Sequence, residues 1–157
     1  MIKVYYFLAK VLSPVAMIGF KFHQILFRQS RARVIVLNEQ QEVLLIKNAL
    51  HPQKWTLPGG GIDKNESASA AAKREVYEEL GITLEDSQMR AHVSYERQPG
   101  ISYTAIIFVA TIKKSAYHDA QRQRREIASA EWWGRLTLPT DLSEVARRAL
   151  DELPKKS

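Results

Sequence analysis

Three glutamates, Glu75, Glu78 and Glu79, crowd the run Arg74-Glu75-Val76-Tyr77-Glu78-Glu79-Leu80. In a helix, at ~100° per residue, their side chains fall within an arc of roughly 100° on one flank. Like charges at that spacing repel by a few tenths of a kcal/mol per pair. A cluster kept in spite of that cost suggests a positive partner. Oxygen-only clusters suit Mg²⁺ or Mn²⁺, hard cations that take carboxylate ligands and keep waters for a substrate to displace. A solvated acidic face is the plain alternative, and the helix alone does not separate the two.

The spacing around the glutamates does more. Gly60, five residues, Glu66, seven residues, then Arg74-Glu75-Val76-Tyr77-Glu78-Glu79-Leu80-Gly81-Ile82 form one continuous pattern. At every defined position it resembles the signature box of the Nudix hydrolases, a far more specific signal than a short glycine motif. Trp55-x-Leu57-Pro58-Gly59-Gly60 and the stretch from Glu126 to Pro139 resemble the family too, so the resemblance extends over residues 33–157. It implies an α/β fold, an α/β/α sandwich with a mixed β-sheet, here preceded by an N-terminal helical segment (residues 1–32).

It further implies metal-dependent hydrolysis of a nucleoside diphosphate linked to X (ADP-ribose, a nucleotide sugar or a (d)NTP), releasing a nucleotide and phosphorylated X. Glu75, Glu78, Glu79 and the Gly60 carbonyl are the expected holders of Mg²⁺ or Mn²⁺. Arg74 is either a solvated helix arginine or a clamp on a neighbouring carboxylate. Glu66 either favours the helix dipole or supports the ligands from behind. The water-activating base is a box glutamate or Glu126, whose plain reading is a surface glutamate among Arg124 and Arg125. A non-catalytic nucleotide-binding module of the same family is the competing function, and the complete set of box carboxylates argues against it.

Several elements must position these groups. Asn65 or Ser67 caps the box helix, the alanines at 68 and 70–72 favour it, and Gly81 supplies a left-handed stop. Ala72, Val76 and Leu80 form an apolar stripe that would pin it to a sheet. Upstream, Val34–Leu37 and Val43–Ile46 read as a hairpin around Asn38–Glu42, followed by a loop over Lys47–Gln53. Trp55 either packs under the loop or stacks on a base. Downstream, Ala91–Arg97 and Tyr103–Ile112 read as a strand pair, with Ile106–Ala110 apolar on both faces as in a buried strand. Tyr95, Arg97 and Tyr103 on these strands are candidate substrate contacts, and also ordinary strand residues. His118–Arg125 reads as a polar surface loop, Ala130–Trp133 as a short strand, and Leu142–Leu153 as a helix capped by Asp141.

Composition narrows the remaining possibilities. With 157 residues the chain fits one domain with a real core, and the absence of cysteine excludes disulfides and thiolate chemistry. His51, His92 and His118 show no paired ligand spacing, and the serines form no nucleophile elbow. The net charge of +6 is local: Lys3, Lys10, Lys21, Arg28, Arg31 and Arg33 stand in the first 38 residues without an acid. The apolar segment 1–29 reads as two helices, Ile2–Leu12 and Val15–Phe27, too interrupted by Lys10 and Lys21 to span a membrane or to act as a secretory signal. It reads either as a hairpin packed on its own domain or on a second copy in a homodimer, or as a peripheral anchor on an anionic membrane. The expectation is a cytoplasmic protein, with or without membrane association, that takes a nucleotide-derived small molecule and no specific nucleic acid.

Overall fold

The computed structural model describes residues 30–118 and 126–154. The expected helices in residues 1–29, with their dimer and membrane readings, and most of the His118–Arg125 loop lie outside these residues. Within them no helix is long and apolar enough to cross a membrane.

Six strands form one mixed sheet: β1 (Ser30–Leu37), β2 (Val43–Asn48), β3 (His51–Thr56), β4 (Met89–Tyr95), β5 (Thr104–Thr111) and β6 (Ile127–Trp133). The order is β3-β2-β1-β5-β4, with β6 along β2. β1 runs parallel to β5 over its full length, from Ser30 opposite Thr104 to Leu37 opposite Thr111. Two helices, α1 (Ala68–Leu80) and α2 (Glu144–Asp151), cover opposite faces. The alternation along β1 explains how. Ala32, Val34 and Val36 meet Ala72, Val76 and Leu80 of α1, while Ile35 and Leu37 join Val145, Ala146, Ala149 and Leu150 of α2. Each face is thereby buried, as the expected sandwich requires.

Helix ends follow local chemistry. Ser67 rather than Asn65 caps α1, its hydroxyl accepting from the Ala70 N–H, and Gly81 closes the helix at φ 69°. For α2 the cap is Ser143, not Asp141, and the helix spans Glu144–Asp151. Asp141 is engaged elsewhere: its carboxylate pairs with Lys47 at 3.0 Å and its carbonyl accepts from Trp55 N–H. Trp55 itself is buried in the core, edge-on to Trp133, and not available for base stacking.

The expected loop over Lys47–Gln53 is instead strand on both sides of a two-residue turn. β2 continues to Asn48, and β3 opens at His51 with four exposed residues, a proline among them, a composition that edge strands tolerate. β4 ends at Tyr95 and β5 starts at Thr104, so Arg97 and Tyr103 flank the strands rather than lie in them.

The sheet also parts where it matters. β2 touches β1 only at Val36–Leu44 and Leu37–Val43, and then pairs with β3. The first half of β1 takes the glycine loop as its neighbour instead: Ala32 N–H donates to the Gly60 carbonyl, Val34 N–H to that of Pro58, and Ile62 N–H to that of Ser30.

Candidate active site

A cavity of about 820 Å³ opens where β1 and β2 separate. Gly59–Gly61 and the acidic flank of α1 (Arg74, Glu75, Glu78, Glu79) form one wall, and Glu126 also borders it. Arg31, Arg33, His51 and Lys54 contribute a basic wall from β1 and β3.

Glu79 is buried, and its Oε2 accepts from the Gly59 N–H at 2.7 Å. Burial pushes this carboxyl up to about 8, against the pull of Arg33 and of that hydrogen bond. Glu75 is also raised, again chiefly by burial and opposed by Arg74. A nearby cation would offset this cost by favouring the ionised forms. Glu78 is the exposed member, and its polar partner among the described residues is Arg74, at 3.3 Å. Gly60 lies hard against Glu75: a β-carbon there would come within 2.4 Å of the carboxylate.

Arg74 is a clamp. Its Nε and Nη2 donate to the two oxygens of Glu66, Nη1 to Glu75 at 2.7 Å, and Nη2 also to the Gly61 carbonyl at 3.0 Å. Glu66 accepts from Asp63 N–H as well and lies outside the first turn of α1, its carboxylate spent on bracing Arg74. One planar fork therefore ties the glycine loop to the box carboxylates, a geometry that lysine cannot reproduce. Arg74→Lys is expected to lower kcat about tenfold or more while thermal unfolding shifts by only a few degrees. Activity equal to the parent's, read as product nucleotide formed, would contradict the clamp.

The donor set fits a hard divalent ion. It consists of carboxylate and carbonyl oxygens, and the Gly60 backbone approaches Glu75 as only glycine allows. Among the described residues no three acidic or imidazole side chains already form a closed metal cage. Mg²⁺ does not require one, since it usually uses one or two carboxylates together with water and substrate phosphates.

The candidate substrate contacts fare differently. Tyr95 is buried and donates its hydroxyl to Glu152 at 2.9 Å. Arg97 is exposed, and Tyr103 packs against the core beneath the Arg31 guanidinium. None of the three lines the cavity. Conversely, Arg31, Arg33 and Lys54 stand in its wall, although the sequence reading counts the two arginines only as part of an N-terminal charge excess. Their signal is positional: two arginines at alternate places, on the face of β1 that carries Ile35 and Leu37 further along.

The NUDIX domain family model matches residues 27–153. A Bacillus subtilis (strain 168) protein assigned by name as an 8-oxo-dGTP diphosphatase is 32% identical over 121 residues, covering 77% of this chain and 76% of that protein. Diphosphoinositol polyphosphate phosphohydrolase 2 of Rattus norvegicus is 36% identical over 78 residues, 44% of each chain. The crystal structure of a MutT NUDIX hydrolase from Burkholderia pseudomallei superposes with a TM-score of 0.69 at 24% identity, covering 81% of this chain and 98% of that one. The NUDIX domain of Shewanella oneidensis NrtR, in complex with ADP ribose, gives 0.63 at 20% identity over 80% and 85%. The chain therefore belongs to the Nudix hydrolase family.

Proposed function

We propose that the chain is a metal-dependent pyrophosphohydrolase that cleaves the phosphoanhydride of a nucleoside diphosphate linked to X. The supporting observation is that the box carboxylates and the Gly60 backbone meet at one wall of a cavity whose other wall is basic. Such a cavity can hold a polyanion from both sides.

Glu75, Glu78, Glu79 and the Gly60 carbonyl would hold Mg²⁺ or Mn²⁺, which when bound neutralises phosphate charge and acidifies water. Arg74, braced by Glu66, keeps Glu75 in place beside Gly60. Arg31 and Lys54 face the non-reacting phosphate. A carboxylate, Glu126 or a box glutamate, takes the proton of the attacking water. The new P–O bond forms as the bridging P–O bond breaks, and the departing phosphate carries away the electron pair. Tyr103 bears on the cavity only through Arg31, whose guanidinium lies 4.8 Å from its ring.

One feature favours a second substrate class. Among the described lining residues no phenylalanine, tyrosine or tryptophan is present to stack a base, whereas arginine and lysine are. That lining suits a compact, phosphate-rich molecule of the type named for the rat relative, a diphosphoinositol polyphosphate, as well as a nucleotide. Initial rates with Mg²⁺ and Mn²⁺ on 8-oxo-dGTP, the common dNTPs, ADP-ribose, dinucleoside polyphosphates, nucleotide sugars and a diphosphoinositol polyphosphate would rank the two. Turnover of nucleotides at least ~10-fold faster in kcat/KM, about 1.4 kcal/mol of preference, selects the first. No metal-stimulated phosphoanhydride cleavage with any of them would remove both.

A further inference from the structure

Arg33 is buried in the middle of β1, yet it makes no direct ion pair among the described residues. Its Nη1 donates to the carbonyls of Leu57, at 2.9 Å, and Gly59, at 2.6 Å. Its Nε is buried without any acceptor. A guanidinium taken out of water with an unsatisfied N–H and no carboxylate partner is an expensive way to tie down a loop. Stability alone does not explain it, because a well-packed apolar side chain at such a position is often as good or better.

Its neighbours supply a reason. Gly59 is gripped on both sides, its carbonyl by Arg33 and its N–H by the buried carboxylate of Glu79. The next residue is Gly60, whose carbonyl also accepts from Ala32 N–H. Arg33 therefore sits behind the one peptide that connects Glu79 to the Gly60 carbonyl, and its charge attracts the buried carboxylate of Glu79 and the half-buried one of Glu75 without an ion pair to either.

We infer that Arg33 is a positioning residue of the active site, which sets the Gly59–Gly60 peptide and Glu79 in mutual register so that they can share a divalent cation. It does so through the Gly59 carbonyl and by its charge, as part of the cavity wall but not as a ligand of the cation. The inference rests on the reading of Gly60 and Glu79 as joint oxygen donors.

The test compares the parent with Arg33→Met, Arg33→Lys and Glu78→Gln by Mn²⁺ calorimetry, thermal unfolding and steady-state kinetics on the best substrate. Arg33→Met is expected to weaken Mn²⁺ binding about 10- to 100-fold and to lower kcat more than it raises KM, with unfolding still cooperative. Arg33→Lys, which keeps the charge but cannot present a rigid fork, should fall between, about 3- to 5-fold weaker than the parent. Parental Mn²⁺ affinity in Arg33→Met overturns the inference, as does a rise in KM alone, which would make the arginine a substrate contact. If Arg33→Met does not fold, Arg33→Lys decides by the same measure, parental affinity again being fatal. Unaltered Mn²⁺ binding in Glu78→Gln would instead remove the metal-site reading itself, so the two failures are distinguishable.

Discussion

Glu78→Gln abolishes most metal-stimulated turnover, by about a hundredfold or more in kcat, while the protein unfolds at nearly the parental temperature. The two halves of this expectation have separate origins. Glu78 is an exposed member of the cluster, and its one ion pair among the described residues is the 3.3 Å approach to Arg74, so neutralising it removes little that holds the fold. Its carboxylate is nevertheless the proposed ligand freest to meet incoming substrate. An amide of the same shape keeps the volume but loses the charge that a hard cation needs. Substrate cleavage with Mg²⁺ and Mn²⁺, alongside a melting curve, checks both halves. Activity within about threefold of the parent would sink the enzymatic reading of the cluster and favour a binding module.

Gly59→Ala is expected to produce the largest loss of stability from a single methyl group. Gly59 adopts φ +126°, where L side chains are strained, and a β-carbon would lie 2.3 Å from the Ala32 carbonyl oxygen and 2.9 Å from the Arg33 α-carbon. Both obstacles are backbone atoms of β1, which β5 locks along its whole length. The strand cannot step aside as a flexible side chain can. Backbone strain and overpacking, at about 1–3 kcal/mol each, sum to roughly 4 kcal/mol, or about 8–16 °C in Tm for a chain of this size. Differential scanning calorimetry reads the shift directly. A drop of under about 2 °C would show that the loop does not press on β1. Gly60→Ala differs in kind, because its new methyl group meets the end of the Glu75 side chain, which can swing away.

The box helix is readable in advance because its signals agree: capping serine, alanine-rich first turns, apolar stripe, glycine stop. The strands β1, β2 and β5 are readable for a similar reason, being short apolar runs bounded by turn residues. β3 escapes because its residues are chosen by an exposed edge and a cavity rim rather than by a core, so His51-Pro52-Gln53-Lys54 looks like loop. The α2 cap escapes because two candidates stand two residues apart, and a long-range partner, Lys47, decides which is taken. The basic wall escapes for a related reason. Charge counted along the chain says nothing about which face of β1 the arginines occupy, or that β2 departs just there. Tyr95 shows the converse: an aromatic at a promising place in sequence is used for packing and a hydrogen bond to Glu152.

The parallel pairing of β1 with β5 also sets an order of events. Residue 30 lies opposite residue 104, so this seam joins distant parts of the polymer and closes only after the box helix has been made. During synthesis the acidic segment emerges from the ribosome before the strand that braces its platform. The pocket is thus a late product of maturation, and a nascent chain carries the complete signature well before it can act on anything.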